Sequence, residues 1–286
     1  MAVDLKDHLA AVSPRQTPLW IDAWNYGETL LNKGEEAPWD DVGQMVSLVG
    51  KLQNLVASDV LVIEAQSFFD YRTRRHPELL AAMAEKRRLG YALRTLLADQ
   101  PCRDQLHECV GALCDTHNGL PVMLAMSSPR QWMGRAHCQA RVLGSVEVSW
   151  EDAESASMYM ADFLRSFADC ELSGVVLRES PGDGPGNASE LARYQPLINV
   201  SRHYQWSVVL DKGEGGRETD CHSDEVLFLG SHIGALSGVC VTELGGQGQC
   251  SDLDREGAYC HVRIPADAKP EAVLDALDTL RSPVVN

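Results

Sequence analysis

No uninterrupted apolar run among the 286 residues approaches the roughly 18 needed to span a bilayer. The opening residues, Met1 to His8, show no basic stretch followed by an apolar one. The chain is therefore expected to carry neither membrane anchor nor secretory signal, and to work in the cytoplasm. Positive charge is scarce: 25 Lys and Arg against 41 Asp and Glu leave a formal charge of −16. Such a surface repels nucleic-acid phosphates and anionic lipid, so neither nucleic acid nor membrane is an expected partner. A polyanionic substrate would need a basic pocket inside an acidic shell. CxxC spacing is missing among the nine cysteines, at 102, 109, 114, 138, 170, 221, 240, 250 and 260. Without a secretory signal they read as reduced thiols, most of them small core residues. Nucleotide fingerprints of the G-x-G-x-x-G and G-x-x-x-x-G-K-[ST] kinds are missing too, as are G-x-S-x-G and H-E-x-x-H. With 44% hydrophobic and 23% charged residues, disorder and coiled coil are excluded.

What is present is alternation. Pro18 to Asp22 is a short apolar run. Asp40 or Asp41 then caps an amphipathic segment reaching about Ala57. Asp59 to Glu64 is a continuous β-branched run, the pattern of a strand buried on both faces. Helix is expected from Pro77 to about Asp99, strand at Leu120 to Met126, and a short strand at Val146 to Ser149. Trp150 to Asp169 reads as helix, Val175 to Leu177 as strand, Ala188 to Tyr204 as helix and Trp206 to Leu210 as strand. Short runs at Val226 to Leu229, Gly238 to Val241 and His261 to Ile264 complete the strands, and Pro270 to Leu280 is the last helix. Lys212 to Thr219 and Gly245 to Gly257 read as long polar loops. Strands separated by helices pair in parallel. With this length and no nucleotide fingerprint, the expectation is an α/β chain forming one closed (β/α)8 barrel over residues 1–286.

Four ordered motifs add to that reading. Thr17-Pro18-Leu19-Trp20 lies near the start and Leu177-Arg178-Glu179-Ser180 in the middle. His261-Val262-Arg263-Ile264-Pro265 and Pro270-Glu271-Ala272-Val273 lie near the end. In this order the set resembles the uroporphyrinogen decarboxylase family, a superfamily of barrels that also holds zinc-dependent methyltransferases and cobalamin-independent methionine synthase. The resemblance implies a lyase that removes carbon dioxide from an electron-rich ring without a cofactor. A carboxylate would hold the cation that develops. The family's carboxylate-clamping arginines are replaced by Ala23 and Gly27, and Asp22 joins the segment. The expected substrate is therefore a small molecule less anionic than uroporphyrinogen. The alternatives are methyl transfer with a folate or corrinoid partner, with zinc or without, and a barrel that binds a ligand without turnover. The methyltransferases carry H-x-C at a strand end, and no predicted strand end here does. A homodimer, and a corrinoid protein in the methyl-transfer case, are the macromolecular partners in view.

The resemblance and the strand ends together name the candidate site. Glu64, His261 and Asp22 are the catalytic candidates: an acidic group for the developing cation, an imidazole for proton shuttling or carboxylate binding, and a second acid. Trp24, Asn25 and Tyr26, after the first strand, suit stacking and hydrogen bonding to a neutral ligand. Gln66, Arg72, Glu179 and Ser180 are further substrate-binding candidates, Arg72 as the cation from the one basic cluster. Asp22, Glu64, Glu179 and His261 are expected to line one pocket at the C-terminal mouth, with Tyr26 and Arg72 at its rim and at least one acid titrating high. No resident metal is expected; the alternative is a zinc site from Cys221, His222, Cys240 and Cys260.

Overall fold

A computed structural model of the chain describes residues 2–213, 223–230, 232–233, 235–241 and 258–281. The strands are β1 Leu19–Asp22, β2 Leu61–Glu64, β3 Val122–Ser127, β4 Gly174–Arg178, β5 Ser207–Asp211, β6 Val226–Phe228, β7 His232–Ile233, β8 Leu236–Val241 and β9 Ala258–Arg263. They form two sheets, ordered β2-β3-β4-β5-β6 and β1-β9-β8-β7. Every pair is parallel except β7 with β8. The molecule is thus α/β with parallel sheets. No helix among the described residues is long and apolar enough to cross a membrane.

Period-two alternation sorts the strand side chains. Trp20, Val60, Met123, Ala125, Val176, Val209 and Tyr259 share one apolar cluster with Leu5 and Leu9 of the opening helix, α1 Leu5–Val12. That cluster draws on strands of both sheets. The intervening residues, such as Leu61, Ile63, Leu124, Val175 and Leu210, pack into the helix-side core. Between β1 and β2 the join runs through side chains. The Leu19 amide donates to Asp59 Oδ2 at 2.7 Å and the Ile21 amide to Ser58 Oγ at 3.0 Å, while the Asp59 amide donates to the Leu19 carbonyl at 2.8 Å.

The expected helices are present with four corrections, and helices also form at Trp24–Leu31, Ala65–Arg75 and Pro129–Arg141, where none was expected. The segment Pro77 to Asp99 is two helices, α5 Pro77–Ala84 and α6 Tyr91–Ala98, counting after α2 Trp24–Leu31, α3 Val42–Val56 and α4 Ala65–Arg75. Gly90, a poor helix residue, stands in the break between them as the N-cap of α6. An unexpected helix, α7 Gln100–Thr116, comes next, capped by Asp99, whose carboxylate accepts from the Cys102 amide at 3.0 Å. Its buried face is Cys102, Leu106, Cys109, Val110, Leu113 and Cys114. Cysteines form half of this stripe, so a pattern read on Leu, Ile and Val misses it. Val146 to Ser149 is not a strand; Ser149 makes a capping box with Asp152 that starts α9 Trp150–Leu164, after α8 Pro129–Arg141. Ala188 to Tyr204 divides into α10 Ala188–Leu191, a 3-10 turn and α11 Gln195–His203, because Pro196 can donate no amide hydrogen bond across that point. The last helix is α12 Pro270–Arg281.

Candidate active site

The alternation that fills the inner cluster also aims the next residue of the same parity at the strand ends. Trp20 is followed by Asp22, Ala125 by Ser127, Val176 by Arg178, Val209 by Asp211, and Tyr259 by His261 and then Arg263. Val62, on the inner side, is followed by Glu64. Residues from six strands thus meet at their C-terminal ends. Arg178 is the hub. Its Nη1 lies 3.0 Å from Asp22 Oδ2 and 2.9 Å from Asp211 Oδ2, and its Nη2 donates to Glu64 Oε1. Arg263 adds a bond from Nη2 to Asp211 Oδ2 at 2.8 Å and reaches Asp22 at 3.5 Å. Three carboxylates therefore share two guanidiniums.

This imbalance shows in the titration of the cluster. Burial pushes Glu64 above the ordinary glutamate range; Arg178 opposes the rise, and Asp22 and Asp211 add to it. Burial also pushes on Asp211, but Arg178, His261 and Arg263 together with the Gly213 amide outweigh it and hold that carboxyl low. For Arg178, burial favours loss of the proton, and the surrounding acids more than offset it, so the guanidinium titrates higher than usual. The group is one positive charge short when all members are ionised, which together with burial disfavours the charged form of Glu64.

A second unit lies one residue beyond β4. Glu179 is 6% exposed, and its amide donates to the Asp211 carbonyl at 2.8 Å. Its Oε2 accepts from Ser128 Oγ and its Oε1 from the Tyr194 hydroxyl, both at 2.6 Å. Burial raises its carboxyl to about 7; the two hydroxyls oppose the rise without cancelling it. Burial and the neighbouring Glu179 raise Tyr194 well above the usual phenol range, so it stays a donor. Gly184 closes over this carboxylate: a Cβ there would stand 3.2 Å from Glu179 Cγ.

A cavity of about 430 Å³ opens over both units. Of the sequence candidates, Asp22, Trp24, Asn25, Glu64, Gln66, Glu179 and Ser180 line it. Gln66 accepts from Ser127 Oγ at 2.9 Å, and Ser180 donates to Gln131 at 2.7 Å. His261 does not line it. It is 4% exposed on the inner face of β9, edge-on to Trp20 with ring centroids 6.3 Å apart. Burial lowers its pKa to about 4, against the raising pull of Asp211 and Asp22, so the imidazole is neutral at physiological pH. The structure does not bring Tyr26 and Arg72 to the rim. Tyr26, on α2, is buried with Leu19, Ile21 and Val262 on the helix side, one residue out of phase with Asn25. Arg72, on α4, turns to Asp40 at 3.5 Å. Ala23 and Gly27 also face the helix layer. A Cβ on Gly27 would come within 2.8 Å of Leu52, so an arginine there would enter the core rather than the cavity.

Sequence reading missed Arg178, Asp211 and Arg263 as site residues, although Arg178 and Arg263 stand inside the quoted motifs. The signal was available: each is the last inward position of its strand. Ser128 and Tyr194 had no such signal, since Tyr194 arrives from a 3-10 turn 15 residues beyond Glu179. Of the zinc alternative, Cys221 and His222 lie outside the described residues, Cys240 stands in register with His261 on β8, and Cys260 is buried on the helix side with Leu19 and Val262. The chain's one H-x-C tripeptide, His107-Glu108-Cys109, lies inside α7, where Cys109 is buried and His107 is 37% exposed. No protein-family model matches the chain, and no curated protein matches it.

Proposed function

We propose that the chain is a lyase that removes carbon dioxide from a small, electron-rich aromatic acid, built as one closed (β/α)8 barrel of the uroporphyrinogen decarboxylase kind. The side-chain join between β1 and β2 and the inner cluster common to both sheets support the closed barrel. One observation carries the chemistry: a carboxyl titrating near 7 shares a cavity with an acidic cluster one positive charge short. The two acidic units are thereby separated in role. Glu179 donates its proton to the ring carbon bearing the carboxylate. The positive charge that develops on the ring is stabilised by Asp22 and Glu64. The carbon–carbon bond to the carboxylate then breaks, its electron pair returns to the ring, and carbon dioxide leaves. Glu179 is left ionised and takes its next proton from solvent. Arg135 and Arg263 border the cavity and offer cations to the leaving carboxylate.

Carbon dioxide release from pyrrole and indole carboxylic acids, followed under anaerobic conditions, tests this. Turnover is expected, and Glu179→Gln should lower kcat by about 10²-fold or more with little change in binding. Uroporphyrinogen should not be turned over, given the missing arginine clamps. Tight binding of these acids with no carbon dioxide released, or full activity in Glu179→Gln, would overturn the reading.

A further inference from the structure

Helix α7 carries His107, Gly111 and Cys114 at i, i+4 and i+7, along one face. The turn leading from the 3-10 turn Arg165–Phe167 into β4 meets that face with Asp169 and Cys170. His107 Nε2 lies 2.8 Å from Asp169 Oδ1, and its ring stacks on Phe167 with centroids 6.2 Å apart. Cys170 Sγ sits 3.9 Å from where a Cβ of Gly111 would stand, so the sulfur lies against this face of the helix. One nitrogen, one oxygen and one sulfur, from His107, Asp169 and Cys170, thus lie within 4.8 Å of one another. The buried Cys114 thiol is near enough to Cys170 for their charges to interact.

We propose that this cluster binds a divalent transition metal of the zinc class, held by His107 Nε2, an Asp169 oxygen and Cys170 Sγ, with water as the fourth donor. The donor set decides the class. Magnesium and calcium take oxygen ligands, whereas zinc combines imidazole, thiolate and carboxylate. Zinc bonds of about 2.0–2.3 Å set tetrahedral donors roughly 3.3–3.8 Å apart, so the His107–Asp169 pair has to open from 2.8 Å to admit the ion. The Asp169 side chain, 77% exposed, has the freedom to do so. Burial pushes the Cys170 thiol up to about 12, so the ion has to displace that proton as it binds. Cys170 precedes β4, and Arg178 ends it. The metal therefore sits away from the candidate active site and ties α7 to the β4 entry, a structural rather than catalytic place.

The full-length protein, stripped with chelator and titrated with zinc chloride, should take up one equivalent and show a higher Tm. Cobalt in its place should give a thiolate-to-metal charge-transfer band. Cys170→Ser and Asp169→Asn should each weaken zinc binding by roughly tenfold or more, and the exposed Asp169→Asn variant should keep the wild-type circular dichroism. Cys221→Ser and Cys260→Ser should bind as wild type. No zinc uptake, a cobalt spectrum without the thiolate band, or an affinity that follows Cys221 or Cys260 instead would overturn the proposal.

Discussion

Glu179, just beyond β4, and His261, on β9, are both buried with opposite titration shifts, and they pull stability in opposite directions as pH changes. Folded Glu179 keeps its proton to about pH 7, against an ordinary value of 4.5. Its contribution is full below that ordinary value and is lost as pH rises to about 7. Folded His261 accepts a proton only near pH 4, against 6.5 ordinarily. Its contribution is full above 6.5 and is lost as pH falls toward 4. Relative to wild type, Glu179→Gln should therefore become progressively more stable from about pH 4.5 to 7, and His261→Asn progressively more stable from about 6.5 down to 4. Each effect is on the order of 3 kcal/mol at most. Urea midpoints across this range would show it, and curves parallel to wild type for both variants would contradict these protonation states.

At the scale of the elements, two contacts between strands are exposed to single substitutions. The join between β1 and β2 depends on the Asp59 carboxylate, which is 9% exposed and accepts from the Leu19 amide. Asp59→Ala leaves that buried amide without its partner and should cost about 1–3 kcal/mol, read from denaturant unfolding. A loss confined to β1, seen as faster hydrogen exchange there, would mark the join as local. Gly174, at the start of β4, has no room for a side chain: a Cβ would stand 2.2 Å from the Ser207 carbonyl oxygen and 2.8 Å from Met123 Cε. Gly174→Ala should therefore push β5 aside and cost about 1–3 kcal/mol or more. An unchanged midpoint would mean that β4 and β5 yield more easily than their ladder suggests.

Over the whole molecule, the formal charge of −16 sets a repulsive background. Exposed ion pairs such as Arg74 with Glu36 and Arg103 with Asp162 add little against it. Raising monovalent salt from about 0.01 to 0.15 M shortens the screening length from about 30 to 8 Å. The Tm at neutral pH should rise by a few degrees over that interval. A fall would show that surface pairs, rather than net repulsion, dominate the electrostatics.

The parts of this protein legible in its sequence are those written in local chemistry. Alternation of apolar strands with helices specified parallel sheets, because a parallel pair needs a crossover. Strand-end position named Asp22 and Glu64 as candidates, and the alternation that sets each beside an inner-side residue two places earlier, Trp20 and Val62, is readable in the sequence. Helix α7 escaped because cysteines supplied half of its buried stripe. Tyr26 and Arg72 escaped for another reason: each lies on a helix, where a one-residue offset turns a side chain by about 100°, and only packing against α3, α12 or Asp40 selects the direction. The partnership of Arg178 with three acids and the capture of Glu179 by Ser128 and Tyr194 were decided by tertiary structure alone. Their partners lie up to 156 residues away along the chain, on Asp22, and the burial that moves Glu179 to about 7 exists only after the strands have assembled.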